Sequence, residues 1–356
     1  AEDAAVMLAA FGADDQHITA PSEHVLGITV GAVNPPGMAG HVPLMPTTYT
    51  RRGPGVGGAR KPDLAHFGGV GSHNQTGLVS LTPVGVAVHN CGTSFAAPLA
   101  AATIATLDQR LARLAARETL LALPVHRAKR VAALDREALR HVSREFVGFG
   151  IAPPADVILN DDPHSVTLVF RERLLAKQRL EFPFTWPRSL VGANSSCRGQ
   201  AEVTLCFTPP IDPDQREEAI RVQLEAYLHQ ENVNRATGEI TWESRLAHDA
   251  GGVPQGMNKA ESTLIRTGLK WSPIKRYQVS MPQGRGNTSN WRLSLESLVR
   301  AGVVFPTDGV AFSLVMTIFD PVATAPIREE MRQDIQSRGL VLADITVAHQ
   351  VRHRLG

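Results

Sequence analysis

Near residue 162 the sequence changes period. From there on, apolar and polar residues alternate in short runs at 165–174, 201–209, 220–228, 291–299 and 310–320, separated by Gly, Pro, Asn and Asp. Alternation sends successive side chains to opposite faces of a strand, and many such strands with turns between them pack as a sandwich or jelly roll. A helix over 327–338 and a last strand over 341–351 complete this half. Before residue 162 the texture differs. A β-branched run at 25–33 ends in the turn Asn34-Pro35-Pro36-Gly37 and reads as a buried strand. Gly and Pro dominate 34–77, and 78–81 is a second brief strand. An alanine-rich helix over 93–116 and another helix over 125–147 follow, closed by Gly148-Phe149-Gly150 and Pro153-Pro154. The expectation is an α/β domain over 1–160 and an all-β sandwich or jelly-roll-like domain over 161–356.

The length of 356 residues suits two such domains. A net charge of +2, from 36 basic and 34 acidic residues, gives no electrostatic reason to expect a nucleic-acid partner or an anionic membrane. No apolar run is long enough to span a bilayer. Three cysteines, Cys91, Cys197 and Cys206, do not make a disulfide framework, and no pair has zinc-ligand spacing. Cys197 and Cys206 either meet across a hairpin or stay free. No cofactor and no metal site is expected. The chain opens inside a helical pattern, which suggests a natural start upstream of Ala1. Few cysteines and no signal sequence favour the cytoplasm.

Chemistry concentrates in Gly92-Thr93-Ser94-Phe95-Ala96-Ala97-Pro98. Here a polar turn becomes a helix. The first N–H groups of a helix have no partner within it, and its amino terminus carries partial positive charge. A serine at that junction exposes its hydroxyl beside donors able to stabilise an oxyanion. A Ser-Thr pair at a helix start is usually only an ordinary cap. Pro98 falls early enough in the helix for its missing N–H to cost little, and the alanines suit close packing on neighbouring strands.

The string resembles the serine signature of the subtilisin-like protease family, Gly-Thr-Ser-x-Ala-x-Pro, at Gly92, Thr93, Ser94, Ala96 and Pro98. Other segments follow in that family's order. Residues 26–33 resemble its core strand, and Tyr49 to Pro54 its Phe-Ser-Ser-x-Gly-Pro turn. Lys61-Pro62-Asp63-Leu64 with Gly68-Gly69 resembles its Lys-Pro-Asp stretch, and Gly148-Phe149-Gly150 its closing Gly-x-Gly. The resemblance implies the carboxyl-terminal part of a doubly wound, parallel-sheet peptidase domain. It implies Ser94 as nucleophile, with the Ser94 N–H as an oxyanion donor, Gly92 and Thr93 shaping the turn, and a polypeptide substrate. Cys91 stands where the family often has Asn, as a small buried residue or a redox-sensitive neighbour of the site. Leu99 replaces a frequent His at a position expected to pack. His66 and Phe67 replace Ala-Pro.

The mechanism also needs a histidine and an aspartate. In the family both lie upstream of the serine in motifs that do not occur here, as does the asparagine that serves the oxyanion. His17, His24, His41, His66, His73 and His89 read as loop or surface residues, and none is assigned as base. Without a base, the residual acceleration would be on the order of a thousandfold over water. Three readings stay open: a fragment or processed chain of a serine endopeptidase; a non-catalytic binding or scaffold protein that kept half the fold; or a cleavage product held to a companion fragment bearing His and Asp. Half a parallel sheet would leave a raw edge and a bare apolar face, so 1–160 alone is expected to be poorly soluble.

The second half resembles the tail of bacterial subtilisin-like proteases encoded beside an AAA-type ATPase, which implies such an ATPase as partner. Trp186, Trp242, Trp271 and Trp291 read as core or rim residues, a sugar-binding platform being the alternative. Arg173, Arg179, Arg266 and Arg276 form no cluster by sequence.

Overall fold

The computed structural model describes residues 7–337 apart from 11, 72–75, 132–133, 135–136, 161, 249–264, 266–267 and 269. The strand expected over 341–351, His73 and Arg266 lie outside the described residues.

The first part centres on a parallel pair, β1 (Val30–Val33) and β2 (Leu64–Phe67), in register from Val30 opposite Leu64 to Val33 opposite Phe67. Ile151 continues the pair as a parallel bridge to Ala65. A hairpin of β3 (Leu78–Leu81) and β4 (Ala87–Asn90) leads into α1 (Thr93–Arg110). The helix stops six residues short of the expected 116. Leu111 is buried at its end, and Ala112 and Arg113 take left-handed backbone, which reverses the chain. The helix expected over 125–147 is two, α2 (Arg117–Arg127) and α3 (Glu137–Val147). The physical reason lies between them: Lys129 exchanges both backbone hydrogen bonds with Ile151, at 3.0 Å each, and a residue in a β-bridge cannot continue a helix. A single turn, α4 (Ala155–Ile158), ends this part.

The second part is β-rich and antiparallel. β5 (Ser165–Leu174), β6 (Leu180–Thr185), β7 (Cys197–Phe207), β8 (Val222–Val233), β9 (Ile240–Ser244), β10 (Ala247–His248), β11 (Ile274–Arg285), β12 (Asn290–Val299) and β13 (Val310–Phe319) precede α5 (Ile327–Ser337). They form a five-stranded sheet in the order β10-β11-β7-β13-β5 and a four-stranded sheet in the order β6-β12-β8-β9. Inward residues of both sheets share one core. Val203, Leu205, Tyr277 and Leu314 come from the first, and Leu224, Leu228, Leu293 and Trp291 from the second. Trp186 and Trp291 are 1% exposed, with ring centroids 4.5 Å apart. The molecule is thus an α/β part followed by a β-rich part.

The two parts are packed together. Leu123, Val125 and Ala128 around α2 join Cys206, Ile274 and Val315 on the other face of the five-stranded sheet in a second core. Polar contacts cross it as well. His126 lies between Thr204 Oγ1 at 2.9 Å and Thr317 Oγ1 at 2.7 Å, and Arg276 donates to the carbonyls of Val125 and Ala128. Arg173 pairs with Asp308, and Arg179 with Glu181 and Glu296. The cysteines are free. Cys197 and Cys206 share one strand but face different cores, so pairing across a hairpin does not occur.

Candidate active site

The strings that carried the family resemblance converge on β1 and β2. Lys61 Nζ reaches Asp63 Oδ2 at 2.6 Å and the Gly27 carbonyl at 2.7 Å, and the Thr29 N–H donates to the same carboxylate at 2.8 Å. Both side chains of this ion pair are buried, so the start of β2 is tied to the entry of β1. Thr50 Oγ1 accepts from the Ala32 N–H on β1. Phe149 N–H donates to the Asp63 carbonyl, while Gly148 approaches so closely that a Cβ there would lie 2.3 Å from the Asp63 oxygen. Its φ of +59° adds to the demand for glycine.

The end of β2 holds the turn before α1. Gly92 N–H donates to the Gly68 carbonyl at 2.9 Å and to Tyr49 Oη at 3.1 Å, and Tyr49 Oη donates to the Gly69 carbonyl at 2.6 Å. Burial pushes the Tyr49 phenol above its ordinary value, which keeps it a neutral donor. Gly68 has no space for a side chain: a Cβ would lie 2.5 Å from Tyr49 Oη and 2.6 Å from Ala32 Cβ. Gly92 differs, because its surroundings leave room and its backbone, at φ 152° and ψ 157°, is what requires glycine. The Gly92 carbonyl then accepts from Phe95 and Ala96, and the helix begins.

Ser94 is the second residue of that helix and is exposed, between half-buried Thr93 and Phe95. Among the described residues its hydroxyl has no hydrogen-bonding partner. The structure brings Gly92, Thr93 and Ser94 together at one turn, with the serine exposed at a helix amino terminus. Cys91, one residue earlier, is free and half-buried.

Two expectations for this helix need correction. Helix geometry begins at Thr93, so Pro98 is its sixth residue. Its absent N–H is the one that would bond the Ser94 carbonyl, and the proline therefore removes a hydrogen bond instead of filling an unpaired position. The packing face is Ala96, Ala100 and Leu107. Leu99 falls off that face and is 39% exposed, and Ala97 is exposed too.

Four of the five described histidines of the first 90 residues meet backbone atoms. His17 Nδ1 lies 3.0 Å from the Gly53 carbonyl, His24 Nδ1 accepts from Gly27 N–H, and His66 Nδ1 accepts from Phe67 N–H. His89 Nδ1 is 3.5 Å from the Gly77 carbonyl, and His41 is exposed. Burial lowers the pKa of His66. Among the described residues no three His, Cys, Asp or Glu side chains gather as metal ligands, and no helix is long and apolar enough to cross a membrane. Tyr49 was legible only as the first residue of a family turn. Its hydroxyl, where that turn has Phe, was the signal for its contact with Gly92.

No curated protein matches the chain. A solved chain of desmodium yellow mottle tymovirus is 9% identical over 48% of this chain and 93% of its own, with a TM-score of 0.18, too low to bear on fold or function. The part of the chain that builds the serine turn is subtilase-like: residues 2–150 match the model of the subtilase family, Peptidase_S8.

Proposed function

We propose that the first part of this chain, over 1–160, is the serine-bearing portion of a subtilisin-like endopeptidase that hydrolyses peptide bonds with Ser94 as nucleophile. The supporting observation is the exposed Ser94, whose hydroxyl has no partner among the described residues, on the turn held by Gly68 and Tyr49. In this reading Ser94 Oγ attacks the scissile carbonyl and passes its proton to a histidine. The Ser94 N–H, at the positive end of α1, donates to the oxyanion. That histidine, and the aspartate that orients it, belong to an upstream segment or a companion fragment. The second part, over 161–356, is a sandwich or jelly-roll-like domain that supports the first through α2.

A binding or scaffold role is the second reading. It is favoured by the described histidines, whose Nδ1 atoms meet backbone groups at His17, His24 and His66. Protein purified from its natural source, with any companion retained, decides between them. The expected result is cleavage of fluorescein-labelled casein and labelling by a fluorophosphonate, both lost in Ser94→Ala. Equal cleavage by Ser94→Ala overturns the nucleophile. Silence of both proteins in both assays favours the binding role.

A further inference from the structure

Between Asp63 and Asp108 the sequence has no Asp, Glu, Lys or Arg, where the chain's 20% charged content would put about nine. Ser94 lies inside this stretch, and part of the stretch stands in solvent. On the hairpin of β3 and β4, Val79 is 68% exposed, Leu81 74%, Val84 84% and Val86 56%. Leu81 stands opposite Ala87 in register and Val79 opposite His89, so Val79, Leu81 and the exposed Ala87 share one face. Val84 and Val86 carry the apolar surface to the tip. Single exposed aliphatic residues are ordinary, but a contiguous group of them marks a binding surface.

The hairpin does not need these side chains to hold its shape. Its turn is closed by Thr82 and by backbone. Thr82 N–H donates to the Val86 carbonyl at 2.9 Å, Gly85 N–H to the Thr82 carbonyl at 2.9 Å, and Val86 N–H to Thr82 Oγ1 at 3.1 Å. The other face carries a cross-strand bond from Asn90 Nδ2 to Ser80 Oγ at 3.1 Å.

Position and charge together indicate the occupant. β4 ends at Asn90, and Gly92, held to Gly68 and Tyr49, opens the serine turn. Val86 stands eight positions before Ser94, and an extended chain covers about 3.5 Å per residue, so the two lie at most about 28 Å apart. An extended polypeptide about ten residues long spans that distance. Past Ser94 the uncharged surface resumes with exposed Ala97 and Leu99. A charged segment lying along this stretch would lose water and gain no counter-charge from it, whereas an aliphatic one covers apolar surface. The exposed tip offers neither an aromatic nor a basic residue, the two kinds that settle a segment into a lipid interface.

We propose that the β3–β4 hairpin is a docking surface for an extended, uncharged, aliphatic segment of a polypeptide. Resting on the peptidase reading, that segment is the part of the substrate that flanks the bond cleaved at Ser94. Val79, Leu81, Val84 and Val86 then set a preference at a distance from the chemistry.

The test is fluorescence anisotropy of the intact chain carrying Ser94→Ala. The probe is a fluorescein-labelled peptide of about ten residues made of Leu, Val, Thr and Gln, with Glu or Lys replacing its Leu residues in two controls. The expected result is saturable binding, about tenfold or more weaker for both controls and in a variant that adds Leu81→Ser and Val84→Ser. Both side chains are exposed, so this variant keeps the fold, which an unchanged urea midpoint verifies. Three results overturn the proposal: no saturable binding, equal affinity for either charged control, or undiminished affinity in the folded variant. Absence of peptide binding with a dimer, or with attachment to phosphatidylcholine vesicles, that the same variant abolishes would assign the hairpin to a second copy or to lipid instead. The peptidase reading fails separately: if casein cleavage is the same with and without Ser94→Ala while the peptide still binds, the nucleophile falls and the docking surface stands.

Discussion

Replacing His126 by Gln should remove an acid sensitivity from this protein. His126 is 2% exposed and bonded at both ring nitrogens, to Thr204 and Thr317. Its neutral ring gives one donor and one acceptor, which matches two hydroxyls. Burial pushes its pKa well below 6.5, and the cations of Arg127 and Arg276 push the same way. The folded protein therefore keeps the ring neutral, while the unfolded chain takes up a proton near pH 6.5. Stability from this group is complete above that pH and is lost below it, at about 1.4 kcal/mol per pH unit for one proton. Between pH 6 and pH 5 the loss approaches that limit. Gln keeps a donor and an acceptor but does not titrate. Urea unfolding followed by the fluorescence of buried Trp186 and Trp291 gives both stabilities from pH 5 to 8. The wild-type minus His126→Gln difference should be flat above pH 7 and fall by about 1 kcal/mol per unit below pH 6. Parallel profiles would refute the assignment of a neutral, buried imidazole.

Glu225→Ala should cost about 3–5 kcal/mol, because it strands the fully buried Lys275 ammonium, and adding Lys275→Met should restore most of the loss in the same urea assay. Burial pushes Glu225 up, but Lys275 and His248 outweigh it and hold the carboxyl at about 2, below the ordinary 4.5. Its contribution is therefore full above pH 4.5 and fades towards pH 2, a loss that Glu225→Gln should not show on acid titration. Gly92→Ala should destabilise by about 1–3 kcal/mol through backbone strain, since space at the site is ample; an unchanged melting temperature would contradict this. Ser94→Ala should leave stability within about 0.5 kcal/mol of wild type, as the residue is exposed and its hydroxyl has no partner among the described residues; a larger change would contradict this.

The strands at β5, β12 and β13 were legible because alternation sends residues such as Val166, Leu168, Leu293, Leu295, Phe312 and Leu314 into one core. β11 escaped notice for a physical reason. Its Lys275 and Arg276 are charged residues that the fold buries, one against Glu225 and the other against the carbonyls at the end of α2, and no local pattern announces distant partners. β6 was hidden by Pro183, which an edge strand tolerates. The break between α2 and α3 depends on Ile151, more than twenty positions beyond Lys129. At the candidate site, Gly92, Thr93 and Ser94 were readable as a contiguous string. Tyr49, Gly68 and Gly69 act on that string across the fold, so only their close approach in space reveals their part.

The burial of α2 against the five-stranded sheet changes what a cut between the two parts would do. A protease nicking the chain near residue 161 would sever one covalent link and leave Leu123, Val125, Cys206 and Val315 in the same dry layer. The two pieces should travel as one particle and melt as one unit. The change near residue 161 is therefore a landmark in the sequence and not a seam in the molecule, and whatever strains the β-rich part is felt, through α2, on the side of the molecule that carries the serine.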